Sequence, residues 1–273
     1  MIARFQWRGH FVSMQAPQPV IERVAELSGL EFSTGCAVEG WHVEAEKHRL
    51  LLPGEHGDYP CETPGDLLVT AALMVPALIL WKADLPTLHA ATIVKDGQAD
   101  LLLGPGSVGK TTLALEAWIA GWQVVGDDVV LVDPASGMIE AMPKPVKIRQ
   151  PDAVLPARLL GRVSEADWAA GRILDEHVLI LGRGLRGMAP LGERYPVSRL
   201  LLLERSEDSQ TRLLPADKYT AIAAVMEQRL ATAKQGLELL TGLRGLVAER
   251  RVFRLQVGRG NPASALSVIS NSS

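Results

Sequence analysis

The chain has 273 residues, 47% of them hydrophobic, which is enough to bury a substantial core and excludes global disorder. Its formal net charge of −3 carries no nucleic-acid footprint, so no nucleic-acid partner is expected. Cys36 and Cys61 have neither CxxC nor metal spacing, which argues against a disulfide framework and points to a reducing, cytoplasmic setting.

In chain order, residues 36–44 alternate loosely as a strand. Residues 48–52 read as its antiparallel partner, ended by Pro53-Gly54. Residues 1–64 are therefore expected to form a small β-containing N-terminal region, ahead of an α/β nucleotide-binding domain over 65–273. His10, His42, His48 and His56 lack ligand spacing, so no zinc site is expected. No basic leader with an apolar core opens the chain, and secretion is not expected. Thr63 or Asp66 caps an apolar helix over 67–81. At about 15 residues, interrupted by Pro76, it falls short of the ~18 that span a membrane and reads as a buried helix, with no membrane partner.

Residues 88–94 read as a strand, 95–98 as a hairpin turn and 99–103 as a second strand, so the core sheet begins antiparallel. Next comes Gly104-Pro105-Gly106-Ser107-Val108-Gly109-Lys110-Thr111, followed by a helix-like run closed by Gly121. Strand, glycine-rich turn, Lys-Thr and helix is the setting of a phosphate-binding loop. Its glycines allow backbone N–H groups to curl around phosphate oxygens, and the helix N-terminus adds partial positive charge. Gly104, Gly106, Ser107, Val108, Gly109, Lys110, Thr111 and Thr112 are the candidate binding residues. Lys110 would reach the β- and γ-phosphates and the Thr111 hydroxyl would ligate Mg²⁺, with ATP and Mg²⁺ the implied cofactors.

Residues 123–133 read as strand, acidic pair, strand, with a turn at 134–137 and short strands at 138–142 and 146–149. A core strand follows at 199–204, helical spacing at 216–248 broken by Gly236 and Gly242, a strand at 252–257 and a short last helix. Arginines at 183, 186 and 194, and at 250, 251 and 254, read first as solvated faces. The stretch 182–187 suits either a mobile anion-binding loop or a surface loop without function.

Two places compete for the acidic group that such a loop requires. Asp133 ends an apolar run, as a metal-binding strand would, but it also opens the turn at 134–137, where aspartate serves local hydrogen bonds. Asp127 and Asp128 are consecutive carboxylates inside an apolar strand, costly to bury unless they face a cation. In a regular strand they would point to opposite faces, so a kink after Gly126 is expected to bring both to one site. The pair is the favoured candidate.

His89, the 104–111 loop and Gly121-Trp122 running on to Gly126-Asp127-Asp128 together resemble the C-terminal domain of HPr kinase/phosphorylase, which is related in fold to phosphoenolpyruvate carboxykinase. The resemblance covers 88–133 best, weakens toward 257 and is absent before 64. It implies an α/β P-loop kinase core with a mixed central sheet flanked by helices. It further implies that Asp127 is the base on an acceptor hydroxyl, that Asp128 helps hold the metal with Thr111, and that His89 is a nearby polar group of the catalytic site, to which Lys110 also belongs. The family's Glu-Ile-Arg-Gly-type segment has no counterpart beyond Lys147-Ile148-Arg149, which points away from HPr as acceptor. The chain looks more like the HPr-kinase-like proteins that include lasso-peptide kinases, which phosphorylate a serine hydroxyl on a small peptide. The implied acceptor is a peptide or small protein with a serine or threonine hydroxyl, and the family's hexamers suggest a homo-oligomer by analogy. The rival readings are a small-molecule kinase, for example on free serine, and a regulatory ATPase with water as its only acceptor.

Overall fold

The structure, a computed structural model, describes residues 1–35, 42–46, 49–52, 57–83, 85–133, 135–149, 157–159, 161, 172–174, 178–228, 233–248, 251–259 and 263–271. The first strands are β1 (Ile2–Trp7), β2 (His10–Gln15), β3 (Glu31–Thr34), β4 (His42–Glu46), β5 (Arg49–Leu51) and β6 (Asp58–Pro60), with helices α1 (Gln18–Ser28) and α2 (Pro64–Ala83). Around the glycine-rich loop lie β7 (Thr87–Leu88), β8 (Ala91–Lys95), β9 (Gln98–Leu103), α3 (Lys110–Ile119), β10 (Gln123–Gly126), β11 (Val130–Val132) and β12 (Ile139–Glu140). Then come β13 (Val146–Arg149), β14 (Arg172–Leu174), β15 (Val178–Leu181), β16 (Arg194–Tyr195), β17 (Val197–Arg205) and β18 (Arg212–Pro215). The chain closes with α4 (Lys218–Gln228), α5 (Ala233–Ala248), β19 (Val252–Val257) and α6 (Ala263–Ser270). The architecture is mixed α/β.

Two compact units interleave in sequence: Met1–Asp84 with Pro143–Arg186, and Leu85–Met142 with Gly187–Ser273. In the first, Ala3, Phe5 and Trp7 alternate into the core from β1 while Arg4 and Gln6 face outward. Arg8 and Gly9 both have positive φ, and the two-residue turn they make pairs β1 with β2. The six-stranded sheet runs β3-β1-β2-β4-β5-β6. The strand expected at 36–44 is described from His42, and residues 36–41 lie outside the described residues. Of the strand expected at 48–52, Arg49–Leu51 pairs antiparallel with β4, whereas His48 and residues 53–56 lie outside the described residues.

Helix α2 opens with a reciprocal cap: the Asp66 N–H donates to Thr63 Oγ1 at 3.1 Å and the Thr63 N–H to Asp66 Oδ2 at 2.8 Å. It runs through Pro76 without ending there, and it packs on α1 and β2 within the first unit, although the sequence division set it with 65–273. It is long and apolar enough to cross a membrane, but half of its most apolar stretch is buried inside the protein. A three-stranded antiparallel sheet, β13-β15-β14, belongs to the same unit. Cys61 is a buried thiol, its pKa raised chiefly by burial.

The second unit is built on a six-stranded mixed sheet, β10-β8-β9-β17-β19-β18. Strands β9, β17 and β19 are parallel to one another, while β8 and β10 continue the sheet antiparallel, as the hairpin at 95–98 requires. The central strands are apolar along their length because helices cover them. Leu101, Leu103, Leu200 and Leu202 join Ala221 and Val225 of α4 and Leu243 of α5 in one core, while α3 packs on β8 and β10. Of the helical region expected over 216–248, α4 and α5 are described, and residues 229–232 between them lie outside the described residues. Gly236 and Gly242, expected as breaks, lie inside α5, where each lowers helix propensity by about 1 kcal/mol without ending the helix. Asp217 caps α4, its Oδ1 accepting the N–H groups of Tyr219 and Thr220.

A second sheet of this unit, β16-β12-β11-β7, explains the site. The stretch expected as one strand over 88–94 is two, parted at His89-Ala90. Its first part, β7, pairs with β11, and its second, β8, with β9 and β10. The partner stretch divides in the same place, with β10 in the large sheet and β11 in the small one. Thr92 is registered opposite Gly126 and Leu88 opposite Val130, so residues 89–91, of which His89 and Ala90 are irregular, lie across from 127–129. Two antiparallel strands thus change sheets side by side, and Gly126 marks the bulge.

A Cβ at Gly126 would lie 2.9 Å from the Val129 carbonyl oxygen, which is backbone and cannot yield cheaply. Gly126→Ala is expected to lower folding stability by about 1–3 kcal/mol. Urea denaturation against wild type checks this; an unchanged midpoint would contradict the tight bulge.

Candidate functional site

The glycine-rich loop leaves the carboxyl end of β9, beside β17, and runs straight into α3. Parallel strands flanked by helices present this end to ligands. Gly104 and Gly109 have φ of 153° and 113°, and Ser107 has φ of 61°, so the loop bends through conformations that glycine adopts readily. Pro105, Gly106 and Ser107 are exposed, whereas Val108 turns into the core and anchors the loop. Gly109 caps α3, with the Leu113 N–H donating to its carbonyl at 2.9 Å. Thr111 is half-buried on the first turn and Thr112 is exposed beside it.

Lys110 is the first residue of α3 and is only 6% exposed. Its Nζ donates to the carbonyl oxygens of Gly104 at 2.7 Å and Pro105 at 3.2 Å, so the ammonium is folded back on its own loop. Burial pulls its pKa below the ordinary lysine value, against the opposing influence of Asp128 and then Asp127. The Thr111 hydroxyl donates to Asp127 Oδ2 at 3.0 Å. That contact joins the loop helix to the acid pair across 16 residues of sequence.

The two carboxylates have different surroundings. Asp127 is buried at 6% exposure and bonded to Thr111. The Asp128 side chain is 45% exposed, and its Oδ1 lies 3.0 Å from His89 Nε2. His89 comes from the opposite sheet crossing, where its main-chain N–H donates to the Gln228 carbonyl at 2.6 Å. Thr111 is thus bonded to Asp127 and His89 to Asp128, while Lys110 precedes Thr111 on the first turn of α3; of the other expected residues, Gly106, Ser107, Val108, Gly109 and Thr112 take no part in those two contacts. Two further residues join that the sequence did not single out. Arg205, at the carboxyl end of β17, donates to the Ser107 carbonyl at 2.6 Å. Gln228 closes α4 against His89 and Gly104. A basic residue just past a predicted parallel core strand could have flagged Arg205; Gln228 leaves no sequence signal.

Asp133 is occupied by its turn. Its Oδ1 accepts the Ala135 N–H at 3.0 Å, and its Oδ2 accepts the Ser136 hydroxyl at 2.7 Å and lies 3.4 Å from Arg194 Nη1. Arg183, read first as part of a solvated face on a loop that could be anion-binding or merely superficial, is instead 4% exposed, with its N–H on the Leu27 carbonyl at the end of α1, in the first unit. A helix C-terminus that needed an N–H donor has drawn this residue inward.

Thr111 and the two aspartates offer hard oxygen donors, the chemistry that Mg²⁺ takes. Among the described residues no three His, Cys, Asp or Glu side chains converge as a metal cluster. A magnesium ion here would thus draw most of its ligands from phosphate and water, as that ion commonly does.

No family model matches the chain, and no curated protein does. Among solved structures it is similar to the Hpr(Ser) kinase/phosphatase from Coxiella burnetii. Identity is 14%, coverage is 68% of this chain and 95% of that one, and the TM-score is 0.34. A likeness of that size assigns no residue and no reaction.

The Asp133 turn carries a pH signature. The Ser136 hydroxyl, then the Ala135 N–H, hold its carboxyl below the ordinary aspartate value of 3.8. A depressed folded pKa contributes stability that is present above pH ~4 and lost as pH falls through the lowered value. Ser136→Ala is expected to be less stable than wild type near neutral pH, by about 1 kcal/mol or less. The difference should shrink as the solution is acidified below pH ~4, which denaturant titrations at several pH values would show. A difference that grows on acidification would contradict this account.

Proposed function

We propose that the protein is an ATP-dependent phosphotransferase acting on a serine or threonine hydroxyl of a peptide or small protein. The observation that carries the reading is the hydrogen bond from Thr111, one residue after the loop lysine, to Asp127 of the acid pair. It supports a loop for the phosphates and a carboxylate for the cation meeting on the first turn of one helix. The peptide acceptor and a homo-oligomer remain part of the proposal on the sequence resemblance alone, and the cytoplasmic setting on the two cysteines without disulfide or metal spacing.

The surroundings of the two aspartates support a division of roles. Asp127, buried against the Thr111 hydroxyl, is placed to share a magnesium ion with it. Asp128, more exposed and paired with His89, is placed to take the proton of an incoming hydroxyl, with His89 orienting the carboxylate. This exchanges the roles that the resemblance implied for the two residues. Magnesium, when bound, would neutralise charge on the phosphates. Lys110 would add its positive charge where negative charge grows on the transferred group. Gly106 to Gly109, past Pro105 with its missing N–H, would supply main-chain donors, and Thr112 a hydroxyl at the rim. The hydroxyl oxygen of the acceptor forms the new bond to phosphorus as its proton passes to Asp128, and ADP departs.

Incubation with γ-labelled ATP, Mg²⁺ and serine-containing peptides tests the reading. Label should appear on a hydroxyl, and Asp128→Asn should cut the transfer by about 10²-fold or more while nucleotide binding persists. Asp127→Asn should raise the magnesium concentration needed for half-maximal rate. Release of free phosphate alone, undiminished in Asp128→Asn, would overturn the reading in favour of a regulatory ATPase. Label on free serine but on no peptide would make the acceptor a small molecule.

A further inference from the structure

Gly104 opens the glycine-rich loop, and its carbonyl oxygen can accept two hydrogen bonds. Lys110 Nζ supplies one at 2.7 Å. The second comes from Gln228, the last residue of α4. In the orientation that gives both amide hydrogens an acceptor, Gln228 Nε2 donates to Gly104 O at 2.9 Å and to His89 O at 3.2 Å. The His89 N–H donates in return to the Gln228 main-chain oxygen at 2.6 Å. One glutamine thus ties the first carbonyl of the loop to the turn that presents His89 to Asp128. Gly104 itself is closely packed: a Cβ there would lie 3.0 Å from the Leu203 carbonyl and 3.1 Å from Val108 Cγ1.

The next step rests on the phosphate-loop reading. If Lys110 serves the phosphates, its ammonium, whose three N–H groups include two now on Gly104 O and Pro105 O, can turn those two toward the phosphate oxygens. We propose that Gln228 is a positioning residue for this exchange, keeping Gly104 O hydrogen-bonded and the His89 turn in place while Lys110 moves from carbonyl oxygen to phosphate. Gln228 touches no substrate. Its amide matters most in the bound state, because only there has Gly104 O lost its other donor. Removing the amide leaves that oxygen without a donor after Lys110 departs, which weakens nucleotide binding by roughly tenfold.

The exchange predicts a coupling that simple loss of structure would not produce. Binding of Mg·ADP is measured by isothermal titration calorimetry for wild type, Gln228→Met, Lys110→Met and the double variant, with thermal melts confirming that each is folded. Gln228→Leu replaces Gln228→Met if the latter does not fold. Gln228→Met should weaken binding roughly tenfold in the wild-type background. In the Lys110→Met background it should have no further effect, since no lysine leaves the carbonyl on binding. Equal weakening in both backgrounds, or none in the wild-type background, would overturn the proposal. Failure of wild type to bind Mg·ADP is a different result, and it would remove the phosphate-loop reading and this inference together.

Discussion

The site depends on two neighbouring antiparallel strands leaving one sheet for another at the same level. Thr92 faces Gly126 on the large sheet and Leu88 faces Val130 on the small one, which leaves His89 and the acid pair in the irregular stretch between. A regular strand would send Asp127 and Asp128 to opposite faces and bury one of them in the core. The break releases the pair from that alternation, so that one carboxylate meets Thr111 and the other meets His89. Two charged groups inside a predominantly apolar segment are tolerable because each has a polar partner.

The same crossing explains why the loop and the acids come together. Strand β8 pairs with β9, which leads into the loop, and with β10, which leads into the acid pair. The helix that follows the loop packs on β8 and β10, so its first turn is carried to the end of β10. Loop carbonyls are held by donors from three directions: Lys110 from α3, Arg205 from β17 and Gln228 from α4. A loop restrained in this way keeps its shape without being rigid in every bond, because its lysine can exchange partners while the other two donors stay in place.

Much of this was legible in the sequence, for identifiable reasons. The loop is a fixed-spacing motif whose glycines and lysine are individually necessary, and the flanking apolar runs mark the strand and helix on either side. The acid pair stood out because consecutive aspartates in an apolar strand demand a physical explanation. The split strand at His89 did not show, since Leu88 to Val94 reads as one apolar run and only pairing reveals the change of sheet. The opening hairpin did not show because its second strand does not alternate, Val12, Ser13 and Met14 all being buried, and α1 follows after only two residues. Gly236 and Gly242 imitate helix ends in the sequence, yet both lie inside α5. Gln228 itself acts through one side-chain amide and one carbonyl, neither of which has a sequence pattern.

The central claim is that the Lys110 ammonium, now held by the loop's own carbonyls, serves phosphate in their place. A crystal structure with Mg·ADP tests it most directly. The account predicts the β-phosphate within the 104–109 loop, Lys110 Nζ within hydrogen-bond distance of a phosphate oxygen, and the magnesium ion near Thr111 and the acid pair. Nucleotide bound elsewhere, with Lys110 still on Gly104 and Pro105, would contradict it.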